Sequence, residues 1–231
     1  MHGWEPGQCD EVISAIEAAG GVAAAAVGDL TTADGAASVL DAARRLGDVS
    51  VLVNNYGTPV GTKWGSGDGE RWHDAWERNV VQASRLTDLA VPAMRELGWG
   101  RIVFLGTVGT MMPGVRNPDY YGAKAALPAI VRSLAKELSG SGITANLVSP
   151  GIIATAEMRE VVERQAARAG VTGDWDAVLS PWAAAELFPN LVGRVPEPRD
   201  IANLVAYIVS EASWPITGTD VRIDGGAPDA G

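Results

Sequence analysis

The chain has 231 residues, of which 47% are hydrophobic and 20% charged, and this composition excludes a disordered chain and is typical of a globular protein. The formal net charge of −10 excludes the basic surface that binds nucleic acid or an anionic membrane. A single cysteine, Cys9, excludes an internal disulfide framework and indicates a cytoplasmic protein. No apolar run reaches the roughly 18 residues of a membrane-spanning helix, and no signal peptide is recognised.

Short apolar segments alternate with longer amphipathic segments along the chain. Strands buried on both faces are nearly continuously apolar, and this pattern predicts strands at residues 22–30, 49–55, 101–107, 143–149 and 220–224. A 3.6-residue period of apolar residues predicts helices at residues 9–19, 34–46, 70–97, 119–139 and 199–210. The alternation predicts an α/β fold with a doubly wound parallel sheet.

One long segment, residues 152–198, interrupts this alternation between the last two strands. So long an insertion predicts a lid over a substrate site within a single domain of residues 1–231. Apolar side chains in the lid and after the third strand favour an apolar small-molecule substrate; they are Met111, Met112, Pro113, Trp175, Trp182, Leu187 and Phe188. Pro128 predicts a kink in the helix at 119–139, because proline lacks the N–H that the Lys124 carbonyl would accept.

Tyr120 and Lys124 lie four residues apart near the start of that same helix, and this spacing puts both side chains on one face. A tyrosine pKa near 10 is too high for a base at neutral pH. A neighbouring ammonium group stabilises the phenolate and lowers that pKa. The pair could therefore exchange a proton with an alcohol or carbonyl group.

Further polar and glycine-containing motifs follow the predicted strands, at the edge of a parallel sheet where ligands bind. Asn54-Asn55-Tyr56-Gly57 ends one strand, and Thr107 ends the next. Pro150-Gly151-Ile152-Ile153-Ala154-Thr155 follows a third strand, and Asp224-Gly225-Gly226 closes the last. Asn79 lies in the helix predicted at 70–97.

In their order and spacing these motifs resemble the short-chain dehydrogenase/reductase family, from about residue 10 to residue 226. The resemblance implies a Rossmann-like fold and the catalytic residues Tyr120 as general acid/base, Lys124 as its partner, Thr107 at the substrate carbonyl and Asn79 in a proton relay. It implies no metal and an NAD or NADP site formed by Asp29, Leu30, Asn55, Gly57, Pro150, Gly151, Ile152 and Thr155. It also implies a homodimer or homotetramer that pairs through the helices at 70–97 and 119–139.

One part of the family's architecture has no counterpart in this sequence. Family members begin with a strand and a Gly-x-x-x-Gly-x-Gly turn whose backbone N–H groups bind the cofactor pyrophosphate. Residues 9–20 resemble the helix after the family's second strand, so the first strand–helix–strand unit, about 35–45 residues, is expected to be missing. Strand 22–30 is then expected to pair directly with strand 49–55. The glycines at 61, 65 and 67 share the family's spacing but predict an active-site loop.

Three functions are consistent with this pattern. The first is a nicotinamide-dependent oxidoreductase acting on a carbonyl or secondary alcohol, which the complete set of catalytic residues favours. The second is a cofactor-independent cyclase, isomerase or dehydratase that uses the tyrosine and lysine for proton transfer alone, which the missing glycine-rich turn favours. The third is a non-catalytic subunit. Asp29 also fits a simple turn residue before Thr31.

Overall fold

The computed structural model describes residues 1–59, 61, 63–65 and 69–227. Within these ranges the strands are β1 (His2–Gly3), β2 (Ala26–Val27), β3 (Val51–Asn54), β4 (Gly100–Leu105), β5 (Ile143–Pro150) and β6 (Asp220–Ile223). The α-helices are α1 (Asp10–Ala18), α2 (Ala33–Arg44), α3 (Gly69–Trp76), α4 (Gln82–Leu97), α5 (Pro118–Ala125), α6 (Leu127–Glu137), α7 (Ala156–Arg168), α8 (Ser180–Glu186) and α9 (Pro198–Ile208). None of these helices is long and apolar enough to cross a membrane.

The main sheet is parallel and has the strand order β3-β4-β5-β6. Every residue of β4 and β5 is buried, which explains why these two segments are apolar almost throughout. Side chains from α4 and α6 pack on the sheet around Phe104 and Leu147. The α/β fold with a parallel sheet, predicted from the alternation of segments, is therefore confirmed.

The segment predicted as a strand at 22–30 pairs differently from the expectation. Only β2 is extended there, and it pairs in parallel with β1 to form a separate two-stranded sheet. No ladder joins β2 to β3 within the described ranges, so the predicted direct pairing was wrong. The reason is that α1 returns the chain parallel to β1, whose backbone groups satisfy those of β2.

Trp4 lies between the two sheets. Its ring centroid is 4.9 Å from that of Tyr56, which follows β3, and 5.6 Å from that of His2 in β1. The indole packs on the same apolar cluster as Leu52 of β3 and Leu89 of α4. Side-chain packing therefore connects the two sheets in the place where no backbone pairing does.

Two predicted helices are interrupted. The segment 70–97 forms α3, a π-helical turn at Glu77–Val81, and α4. The segment 119–139 is divided at Ala126 into α5 and α6, so the interruption expected from Pro128 is confirmed. The Lys124 carbonyl nevertheless accepts a backbone N–H at the end of α5.

The insertion at 152–198 contains α7, a π-helical turn at Trp175–Leu179, and α8. These elements enclose an apolar cluster of their own, on which Trp175, Trp182, Leu187 and Phe188 pack. The carboxylate of Glu197 holds the insertion against the start of α9. It accepts two hydrogen bonds from Arg159, at 2.7 and 2.8 Å, and one from Trp175 Nε1 at 2.9 Å.

Candidate active site

The predicted catalytic residues gather at the carboxyl edge of the main sheet. Thr107 follows β4, and α5 brings Tyr120 and Lys124 to the same edge. Asn117, with φ 59°, adopts the left-handed conformation just before α5, and Pro118 occupies the first turn, where its missing N–H costs nothing. This reversal directs the first turn of α5 back towards the sheet.

Lys124 is 4% exposed, and its Nζ donates to the carbonyl oxygen of Leu105 at 2.7 Å. This bond fixes the amine beside the end of β4, two residues before Thr107. The Thr107 Oγ1 accepts the N–H of Gly109 at 3.1 Å. Since the Thr107 hydroxyl donates to no residue within the described ranges, its proton can be given to a ligand oxygen.

Asn79 is 1% exposed and lies in the π-helical turn between α3 and α4. Such turns are rare and are found most often at functional sites. The Asn79 Nδ2 donates to the carbonyl oxygens of Ala75, at 2.8 Å, and Thr58, at 3.0 Å. Its buried Oδ1 has no hydrogen-bond partner in the part of the chain that the structure describes. Asn79 therefore presents a fixed, unused acceptor.

Gly57 brings this acceptor and the lysine together. A Cβ placed on Gly57 would lie 2.6 Å from Lys124 Nζ and 2.7 Å from Asn79 Oδ1. Only a residue without a side chain fits between these two atoms. The lysine offers N–H donors and the asparagine an acceptor at one point, which is an arrangement suited to hydroxyl groups.

Burial changes the acid–base properties of the pair. It lowers the pKa of Lys124 to about 8 and raises the pKa of Tyr120, with a smaller contribution from neighbouring Tyr121 in the same direction. The lowering of the Tyr120 pKa expected from Lys124 is therefore not found in this structure, because desolvation of the phenolate is the dominant effect.

The buried amine predicts a pH-dependent stability. The pKa of Lys124 falls from 10.5 to about 8 on folding, so burial of the charged form is penalised fully below pH 8 and not at all above pH 10.5. Relative to Lys124→Met, the wild-type free energy of unfolding should rise by about 2–3 kcal/mol between pH 7.5 and pH 10. Urea unfolding of both proteins measures this difference. Parallel curves for the two proteins would contradict it.

Two residues predicted to approach a cofactor have structural roles. Asp29 Oδ1 accepts from the N–H of Thr31 at 2.9 Å and from its hydroxyl at 2.6 Å, and these bonds hold the pKa of Asp29 below its usual range. Leu30 is 2% exposed in the apolar cluster, and its carbonyl accepts from Arg85 at 2.8 Å. The contacts of Asp29 are those of the turn residue described as the alternative.

The remaining predicted cofactor residues lie at the ends of β3 and β5. Asn55 and Ile152 are exposed, and Pro150 is buried as the last residue of β5. A Cβ on Gly151 would lie 3.0 Å from the Cα of Asp224, so this glycine permits the close approach of β5 and β6. Thr155 caps α7 by accepting the N–H of Met158 at 3.3 Å.

Two further polar residues lie at this edge: Gln82, which was not predicted, and Asn54, which was named only as the first residue of its motif. Gln82 is 1% exposed and donates to the Tyr56 carbonyl at 3.2 Å, which holds the loop after β3. Asn54 is 5% exposed, donates to Thr87 Oγ1 at 3.2 Å, and keeps a buried Oδ1 without a partner among the described residues. A long amide between apolar residues in a helix was the available signal for Gln82.

The predicted active-site loop and the expectation of no metal concern the surroundings of the site. Gly61 and Gly65 of the predicted active-site loop have left-handed backbones, whereas residue 67 lies outside the described residues. Among those described, no group of three or more His, Cys, Asp or Glu side chains is placed to hold a metal ion.

Comparisons with known proteins agree with this geometry. The chain matches the family profile described as enoyl-(acyl carrier protein) reductase over residues 5–228. It is 33% identical over 190 residues to 3-oxoacyl-[acyl-carrier-protein] reductase FabG of Escherichia coli (strain K12), which is 82% of this chain and 71% of that protein. It is 31% identical over 217 residues to the short-chain reductase protein NovJ of Streptomyces niveus, which is 94% of this chain and 79% of that protein.

Among solved structures, L-sorbose reductase from Gluconobacter frateurii, complexed with NADPH and L-sorbose, has a similar fold. The TM-score is 0.85 at 28% identity, and the match covers 98% of this chain and 85% of that chain. The chain therefore belongs to the short-chain dehydrogenase/reductase family of oxidoreductases.

Proposed function

We propose that this oxidoreductase interconverts a carbonyl group and a secondary alcohol on an apolar small molecule, with a nicotinamide cofactor as hydride donor or acceptor. The observation that carries the proposal is the approach of Lys124 Nζ and Asn79 Oδ1 to the same point beside Gly57, with Lys124 one helical turn after Tyr120 on α5. The relatives with carbonyl-reductase names support the same reaction class.

The residues at Gly57 fit the nicotinamide–ribose half of such a cofactor. Lys124 uses one N–H on Leu105 and has two more for a ribose hydroxyl, and Asn79 Oδ1 is a buried acceptor that lacks a partner in the described part of the chain. Gly57 leaves space for the sugar to approach both. When bound, the cofactor would supply or take the hydride.

The protein's own residues carry the proton. In the reduction, the Thr107 hydroxyl donates a hydrogen bond to the carbonyl oxygen, and Tyr120 gives its phenolic proton to that oxygen. The charged Lys124 ammonium stabilises the phenolate that Tyr120 becomes. The burial that raises the pKa of Tyr120 keeps its phenol protonated at neutral pH, which is the form that donates a proton in the reduction.

The choice of NADP over NAD is supported by L-sorbose reductase, which was solved with NADPH. The absence of a glycine-rich pyrophosphate turn stays a prediction. Titration of the protein with NADPH and with NADH, followed by the fluorescence of the reduced nicotinamide, tests the choice of cofactor. We expect tighter binding of NADPH, and weaker binding in Lys124→Met, which removes the ribose donor.

Two results would overturn the proposed function. One is the absence of binding of either cofactor at millimolar concentration. The other is turnover without cofactor that Tyr120→Phe abolishes, because this result would assign the site to the cofactor-independent proton chemistry considered above. Turnover that requires NADPH supports the proposal.

We further propose that residues 152–198 form a lid on the same single domain, fastened by the bonds of Arg159 and Trp175 to Glu197. Glu197→Gln weakens the charge-assisted part of this contact. We expect the KM for substrate to rise by about threefold to tenfold while kcat changes less, since the proton-transfer residues are unaffected. Steady-state kinetics measure both quantities, and an unchanged KM would contradict a role for this contact in holding the lid.

A homodimer through α3 and α5 is proposed on the basis of the apolar surface there. Trp64 is 73% exposed, Trp72 41% and Trp76 44%, and the rings of Trp64 and Trp72 lie 5.9 Å apart. Apolar patches of this kind on a folded protein mark interaction surfaces. Trp72→Glu is expected to convert the dimer into a monomer in sedimentation experiments. A wild-type protein that sediments as a monomer would contradict the proposal.

A further inference from the structure

A second cleft lies at the amino ends of β4 and β5, at the opposite edge of the sheet from Tyr120. Its volume is about 660 Å³, within the range of small-molecule sites. Apolar and aromatic side chains form its walls, among them Trp99, Leu138, Ile143 and Trp214. Nothing in the proposed redox reaction uses this cleft.

Arg101 also lines this cleft, although it is only 3% exposed. Its Nη1 donates to the carbonyl oxygens of Gly100, at 2.8 Å, and Gly142, at 3.2 Å. Its Nε reaches the Ser210 carbonyl at the long distance of 3.5 Å. Within the ranges that the structure describes, Nη2 makes no hydrogen bond and no carboxylate forms an ion pair with the guanidinium. The Nη2 group of Arg101 is therefore available to an acceptor, and a bidentate acceptor on the Nε–Nη2 edge would share the Nε N–H with the long bond to Ser210.

The surroundings of this edge favour an anion with an apolar body. The Trp99 ring stacks on the guanidinium, 4.5 Å from its carbon, which holds the plane of Arg101 fixed. Thr144 lines the same cleft, is 7% exposed, and has a buried Oγ1 that lacks a partner among the described residues. Trp214 is 71% exposed at the rim and adds an aromatic surface. Glu211 is near enough to stabilise the charge of Arg101, but it forms no ion pair with the guanidinium within the described ranges, so a carboxylate in direct contact would add to this stabilisation.

We propose that this cleft binds a small aromatic monocarboxylate, with its carboxylate on the Nε–Nη2 edge of Arg101 and its ring against Trp214. Glu211 also lines the cleft and is exposed. Its negative charge opposes such a ligand, so removal of this charge should strengthen binding. This expectation separates recognition of an anion from recognition of the apolar body alone.

Calorimetric titration with phenylacetate and with its neutral analogue phenylacetamide tests the proposal. We expect phenylacetate to bind at least tenfold more tightly than phenylacetamide. Arg101→Lys replaces the bidentate guanidinium with a single ammonium group and should remove this difference in affinity. Because Arg101 also holds two backbone carbonyls, its variant can be destabilised. Two surface variants therefore complete the test: Glu211→Gln should tighten phenylacetate binding by about twofold to threefold, and Trp214→Ala should weaken it.

Glu186→Gln is the matched control, because Glu186 is an exposed carboxylate on α8 that does not line this cleft. It should leave phenylacetate binding unchanged. Equal affinities for phenylacetate and phenylacetamide would overturn the proposal, as would the absence of phenylacetate binding at about 10 mM. An unchanged affinity in both surface variants would also overturn it. Calorimetry reports these results independently of any enzymatic activity.

Discussion

Replacement of Tyr120 with phenylalanine is expected to lower kcat/KM by about 10²–10⁴-fold, the range that a positioned general acid contributes. The phenolic hydroxyl makes no hydrogen bond to any residue in the described part of the chain, so its removal should leave the fold intact. Binding of NADPH should also persist, because Lys124, Asn79 and Gly57 are unchanged. Steady-state kinetics together with a NADPH titration of the same variant separate loss of chemistry from loss of binding.

Tyr121→Phe is the matched control for this experiment. Tyr121 is adjacent in sequence, and its ring lies 5.5 Å from that of Tyr120, yet it faces the cleft that Trp64 and Pro118 line. Loss of its hydroxyl should change kcat/KM by less than about threefold. A Tyr120→Phe variant that keeps more than a tenth of the wild-type activity would contradict the role of Tyr120, as would equal losses in both variants.

Replacement of Gly57 with alanine is expected to damage binding and chemistry together. The new methyl group would lie 2.6 Å from Lys124 Nζ and 2.7 Å from Asn79 Oδ1, so the amine must move from its bond with Leu105. Displacement of a catalytic group by about 1 Å can cost about 100-fold in rate. We expect a loss of this size in kcat/KM, weaker NADPH binding, and a decrease of about 1–3 kcal/mol in the free energy of unfolding.

Gly69→Ala is the matched control for Gly57→Ala. A Cβ on Gly69, the first residue of α3, would meet no atom of the described residues within 4 Å. The same methyl group should therefore leave both kinetics and stability close to wild type. An active Gly57→Ala variant with unchanged cofactor binding would show that Lys124 and Asn79 do not act at this point.

The central part of the fold could be predicted from the sequence, because strands that are buried on both faces are almost continuously apolar. The strands predicted at 101–107 and 143–149 are β4 and β5 to within two residues at either end. The two-residue strand β1 was not predicted, since two residues cannot display a period. The partner of β2 depends on tertiary packing around Trp4, which no local pattern contains.

The sequence predicted which residues form the candidate site, but it did not predict the pKa of Tyr120. The four-residue spacing of Tyr120 and Lys124 is a local property of a helix, and the structure retains it. The pKa of Tyr120 depends on how many apolar atoms surround the phenol, which is a property of the whole fold. The π-helical turn at Asn79 escapes prediction for another reason, because one shifted hydrogen bond hardly changes the apolar period of the segment.

The separate sheet of β1 and β2 has a consequence for how the molecule opens. Each of these strands has two residues, whereas β5 has eight and lies between two partners. Isolated two-stranded sheets are marginal in water, so this end should be the first cooperative unit to unfold locally. Its amide protons should exchange with solvent while those of β4 and β5 remain protected. The proton-transfer residues Tyr120 and Lys124 lie on α5, which the bond from Lys124 to Leu105 joins to the end of β4 rather than to this weak end of the molecule.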